Sequence, residues 1–195
     1  MQFVKHIARE TKAGYSLVEV LVVVTIMGIL SSMGVAGLQS AIANARVKDA
    51  AVNTAAFLER VANESRQFSS PICLAIKGDS LTLLAIRTDA LDCSPKNKRG
   101  TVVDSLIIES PLKFRKNSGT SCNAGTNGTI DLTSSANAVF KPRLGMTAVP
   151  PEGVVCIQYG NDQLYGLVRK TKTSNSVKAY WRAGSSAGDV GWLEL

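Results

Sequence analysis

The stretch Lys12–Ser40 reads KAGYSLVEVLVVVTIMGILSSMGVAGLQS. After Lys12 it holds a single charge, Glu19, and the next charge in the chain is Arg46. Val20 to Leu38 is uncharged and mostly aliphatic. As an α-helix it would be about 28 Å long, roughly one hydrocarbon thickness of a bilayer. A carboxylate at the centre of such a span costs roughly 2.5–3.5 kcal/mol on insertion scales, so Glu19 needs either a shallow seat or a partner.

Working outward, Met1–Gly14 carries Lys5, Arg9 and Lys12 against Glu10. A basic segment followed by an apolar run is an export signal, and the positive charge keeps that end cytoplasmic. Two readings stand on these residues: Ala41-Ile42-Ala43 offers a small-residue cleavage site of the ordinary secretory kind, and an uncleaved run would act as a signal anchor. The first discards Glu19 with the signal and leaves it unexplained.

Beyond the run, Val47, Ala51, Ala55, Leu58, Val61, Ala62 and Phe68 recur at helical spacing, with charged residues on the other faces. Pro71 ends the pattern. One helix of about fifty residues is expected, far beyond the average of about 12. Its first half is apolar all round and its second half amphipathic, so the second half docks on a core. Gly28, Gly34 and Gly37 interrupt the apolar half; they either loosen it or allow close packing through small residues.

Short apolar runs then alternate with turn clusters. Strands are expected at Ile72–Ile76, Leu81–Ile86, Val102–Glu109, Thr129–Leu132, Ala138–Phe140, Val154–Tyr159, Leu164–Arg169 and Val177–Arg182. Turn clusters separate them, Lys77–Ser80 and Gly160–Gln163 among them. The pattern predicts an α+β fold with antiparallel sheets.

The chain has 195 residues, 45% of them hydrophobic, enough for one core plus an appendage. Net charge is +7. That fits ordinary solubility or weak attraction to anionic partners. The four cysteines, Cys73, Cys93, Cys122 and Cys156, form no CxxC pair. In an oxidising compartment they predict two disulfides with three connectivities open; otherwise they would be buried thiols.

Little catalytic chemistry is legible. His6, the sole histidine, lies in the leader, which removes His-dependent triads and most zinc sites from the rest. No P-loop, GxGxxG or GxSxG occurs. Asp89 with Asp92, or Asp162 with Asp189, read as solvated loop carboxylates. No enzymatic activity, cofactor or metal site is expected. Two basic clusters stand out: Lys96, Lys98 and Arg99, and then Arg169, Lys170, Lys172, Lys178 and Arg182 with Tyr180 and Trp181 interleaved. The second could contact DNA, or simply solvate a hairpin. The end of the chain, Gly191–Leu195, is apolar and slightly acidic.

Lys12-Ala13-Gly14, Tyr15-Ser16-Leu17-Val18-Glu19 and the run from Val20 together resemble the class III signal of type IV prepilins and type II secretion pseudopilins. The resemblance implies cleavage after Gly14 by a prepilin peptidase, N-methylation of Tyr15 and an assembly role for Glu19. The usual first mature residue is Phe; Tyr15 departs from it but keeps the aromatic ring. In a filament, the Glu19 carboxylate of one subunit would pair with the N-terminal ammonium of a neighbour, and pairing is what makes a charge tolerable in an apolar medium. Snorkelling near the membrane face is the alternative. Phe140-Lys141-Pro142-Arg143-Leu144-Gly145 resembles a turn motif of the H-type pseudopilin and minor pilin family, and reads as a fold-defining turn.

The resemblance divides the chain into a leader (1–14), a transmembrane and assembly helix (15–38), its amphipathic continuation (39–70) and a β-rich periplasmic domain (71–195). It implies a pilin-like fold, inner-membrane anchoring before incorporation into a filament, and other pilins or pseudopilins as partners. A DNA-binding competence pilin and a signal-anchored periplasmic binding module are the alternatives.

Overall fold

The computed structural model describes residues 14–90, 92–94, 100–116, 130–134, 139–142, 145–147, 152–161, 164–171, 177–183 and 191–195. Among the described residues one helix, α1 (Leu17–Gln67), is followed by eleven strands: β1 (Ile72–Ile76), β2 (Thr82–Arg87), β3 (Thr101–Ile107), β4 (Leu112–Arg115), β5 (Ile130–Asp131), β6 (Val139–Lys141), β7 (Gly145–Thr147), β8 (Glu152–Tyr159), β9 (Leu164–Thr171), β10 (Val177–Ala183) and β11 (Leu193–Glu194). By internal contacts the chain divides into two compact units, Met1–Ala41 and Ile42–Leu195.

In the first unit α1 passes unbroken through Gly28, Gly34 and Gly37. A Cβ added at Gly28 or Gly37 would meet nothing within 4 Å. The most apolar window of the helix, near its N-terminus, has none of its surface buried by the chain. It is long and apolar enough to cross a membrane.

In the second unit the amphipathic reading of α1 holds. Val47, Ala50, Ala51, Thr54, Phe57, Leu58, Val61, Ala62 and Ser65 are buried, a stripe at three- and four-residue spacing. The two polar members are satisfied: the Thr54 hydroxyl donates to the Ala50 carbonyl at 2.7 Å, and the Ser65 hydroxyl donates to the Ser70 and Phe140 carbonyls, both at 2.9 Å. Phe68, expected on the docking stripe, is instead half exposed. The helix ends at Gln67, the chain turns through a positive φ at Ser69 (49°), and the Phe68 ring lies 5.8 Å from the Arg87 guanidinium instead.

Two sheets receive this stripe. One has the order β3-β2-β1-β6-β7, the other β11-β10-β9-β8-β4. All pairings are antiparallel except that of β5, which runs parallel beside the Gly153–Val154 start of β8. The main core joins α1 to Ile72, Leu74, Leu83, Ala85 and Phe140 of the first sheet and to Phe114, Val155, Ile157 and Val168 of the second. Alternation along the strands sends Val154, Cys156, Tyr165 and Leu167 into a separate cluster.

Gly166 brings the second sheet onto the helix. A Cβ there would lie 3.3 Å from Val47 Cγ1 and 3.4 Å from Ala51 Cβ. Gly166→Val is therefore expected to overpack this contact and lower stability by about 1–3 kcal/mol, read as a fall in the denaturant midpoint.

The turn expected at Phe140–Gly145 is present as the β6–β7 hairpin, with Lys141 opposite Gly145. Its residues 143 and 144 lie outside the described residues. Strands β4, β7 and β11 were not legible in advance: β4 and β11 are short or charged, and each relies on a partner distant in sequence.

Candidate functional site

The residues singled out at the N-terminus sit on and just before the first turn of α1. The Ser16 carbonyl accepts the N–H groups of Glu19 (3.0 Å) and Val20 (3.2 Å), opening the helix. Glu19 is exposed on that first turn. A carboxylate there interacts favourably with the helix N-terminus, typically by 0.3–1 kcal/mol, too little to offset a place in hydrocarbon. Tyr15 is 82% exposed. A Cβ at Gly14 would meet nothing within 4 Å, so no packing within the chain demands glycine there. Leader residues 1–13, with His6, lie outside the described residues.

Cys73 and Cys93 form a disulfide, buried with Val139. Cys156 is also disulfide-bonded and buried, while Cys122 lies outside the described residues. Non-reducing peptide mapping is expected to show the Cys73–Cys93 bridge and Cys156 in a disulfide; four alkylated thiols would contradict it. Replacing Cys73 and Cys93 together with alanine is expected to lower stability by about 2–4 kcal/mol, seen as a lower thermal midpoint.

The late basic cluster is not an array of free cations. The Arg182 guanidinium is 2% exposed, 4.8 Å from the Trp192 ring and 5.5 Å from that of Tyr165. Burial pushes its pKa below the ordinary arginine value, against a smaller opposing effect of Tyr165. Arg169 stacks 5.5 Å from Tyr180. Lys178 pairs with Glu194 at 2.9 Å, and that hydrogen bond raises its pKa. The Lys178–Glu194 pair and the Arg182–Trp192 contact hold β11 on β10, assisted by the Leu195 N–H donating to the Ala179 carbonyl at 2.9 Å. The Lys170 side chain, Lys172 and the Lys96–Arg99 cluster lie outside the described residues, as do Asp162 and Asp189. Asp89 and Asp92 are exposed, Asp92 accepting the Ser94 N–H at 2.9 Å.

A different basic group went unnoticed in the sequence: Lys77 with Lys113, Arg115 and Lys116 around one groove. The alternation Leu112-Lys113-Phe114-Arg115 was its only local sign, and Lys77 reaches it through the fold.

Residues 10–35 match the family model of the prokaryotic N-terminal methylation motif. No curated protein and no solved structure matches the chain. The matched residues include Gly14, Tyr15, Glu19 and most of the uncovered apolar helix. The chain thus carries a type IV prepilin-like leader ahead of an apolar helix on an α+β, pilin-like arrangement.

Proposed function

We propose that this chain is a minor pilin or minor pseudopilin, a non-enzymatic subunit that helps initiate or assemble a type IV pilus or a type II secretion pseudopilus. A prepilin peptidase cuts after Gly14, Tyr15 becomes the N-methylated first residue, and the apolar helix holds the chain in the inner membrane with its β-rich domain in the periplasm. On assembly the helix exchanges lipid for the helices of other pilins, and Glu19 pairs with a neighbour's N-terminal ammonium. The observation that carries this reading is the coincidence of the methylation motif with a helix whose apolar surface the chain itself leaves wholly uncovered.

The DNA-binding alternative draws on Arg169, Lys170, Lys172, Lys178 and Arg182; of these, the three described side chains, Arg169, Lys178 and Arg182, are engaged in stacking or ion pairing. The deciding measurement is the N-terminus of C-terminally tagged protein recovered from bacterial membranes. The expected product begins at N-methyl-Tyr15. A product beginning at Met1, or after Ala43, would overturn the proposal in favour of a signal anchor or a secreted domain.

A further inference from the structure

Strand β4 is an edge of the second sheet. Its Phe114 N–H donates to the Ser80 carbonyl at 2.7 Å, tying it to the β1–β2 turn. Between turn and strand lies an open groove of about 500 Å³ lined by Lys77, Lys113, Arg115 and Lys116, with Ile76 and the buried Phe114 beneath. Arg115 is held in place by Gln158, whose Oε1 accepts its Nη1–H at 2.6 Å. Beside Lys77, the Asp79 carboxylate accepts the Leu81 and Thr82 N–H groups and the Thr82 hydroxyl at 2.9–3.1 Å. It lies 3.9 Å from Lys77 Nζ and offsets one of the four positive charges. Four basic side chains make the groove electropositive, and the buried Phe114 offers no exposed ring on which a base could stack.

Strand β4 is linked to the second unit's part of α1 through the sheet: Phe114 pairs with Ile157, Ile157 with Gly166, and Gly166 rests on Val47 and Ala51. Leu112, beside Lys113, lines a second groove together with Arg46, Asp49 and Asn53. The start of β4 therefore lies beside the helix turns that carry the first charges after Glu19. Val20 to Ala45 is free of charge.

We propose that this groove receives the phosphate headgroups of anionic phospholipids while the chain is anchored in the bilayer, a proposal that rests on reading Val20–Leu38 as the membrane span. Three flexible lysines and one fixed arginine suit phosphate oxygens. The contact would hold the domain against the membrane before assembly and be exchanged when the subunit leaves it.

The test uses the full chain reconstituted into neutral phosphatidylcholine vesicles or into vesicles that also contain phosphatidylglycerol. Lysines are acylated briefly and quantified by mass spectrometry. In the anionic vesicles Lys77, Lys113 and Lys116 are expected to react about fivefold more slowly, the factor expected for headgroup attraction of a lysine, while Lys141 on β6 serves as reference. High salt should remove the difference. Lys113→Glu with Lys116→Glu should remove it at Lys77 and leave the thermal midpoint unchanged. Equal rates in both vesicles would overturn the proposal. Protection by inorganic phosphate in neutral vesicles would make the anion soluble rather than lipidic, and protection by duplex DNA where phosphatidylglycerol gives none would make it a nucleic acid; either overturns the lipid assignment. Alkaline carbonate extraction separates the premise: a chain released from the vesicles is not anchored, and both readings fall together, whereas a retained chain with equal lysine rates removes the headgroup contact alone.

Discussion

Glu19→Ala is expected to be processed and inserted normally yet to be nearly absent from filaments. Removing a lone carboxylate makes the helix more apolar, so residence in the membrane becomes easier rather than harder. On the proposed assembly role, what is lost is the partner of a neighbour's N-terminal ammonium, which would be left unpaired at a dry interface. Breaking a buried pair from one side costs roughly 3–5 kcal/mol, enough to reduce incorporation more than a hundredfold. Glu19 is exposed within the single chain, so the substitution removes no packing from the folded domain. Fractionation comparing mature protein in membranes with protein in sheared filaments reads the effect. Equal incorporation of variant and wild type would leave Glu19 as a carboxylate that snorkels to the membrane face.

Gly14→Ala is expected to abolish leader removal, leaving a product longer by residues 1–14 and without N-methylation. The substitution meets open space in the chain itself, so folding gives it no reason to fail. Any loss must arise where the peptidase closes on the backbone, and a Cβ at that point obstructs an approach that only glycine allows. Immunoblotting resolves precursor from mature chain. A normally shortened product would show that the cut does not depend on Gly14. The two variants thus separate two steps: one stops before cleavage, the other after it.

Much of the fold was readable because its signals are local. The apolar run from Val20, the heptad-like recurrence of Val47, Ala51, Leu58, Val61 and Ala62, and the stop at Pro71 define a helix that ends at Gln67. Strand β1 appears at Ile72–Ile76 as expected, and β2 and β3 fall within one or two residues of their expected ends. The prepilin-like signal is equally local: leader charge, Gly14, Tyr15 and Glu19 follow one another along the chain, which is why a family model of the same short segment finds them.

What stayed hidden depends on residues far apart in sequence. Four cysteines allow three pairings, and only the meeting of β1 with the segment after β2 selects Cys73–Cys93. Arg182 looks like any surface arginine until β11 returns to place Trp192 over it. β4 is four residues with two charges, a poor strand by composition, and it exists because β8 supplies its hydrogen-bond partners along one side. The basic groove needs that same strand brought beside the turn at Lys77. Periodicity and turn chemistry belong to neighbours along the chain, so the long helix, its apolar half and most of the strands can be read from the residues alone. Sheet order, disulfide partners and the company each charge keeps are contacts between distant residues, and they exist only once the chain has folded.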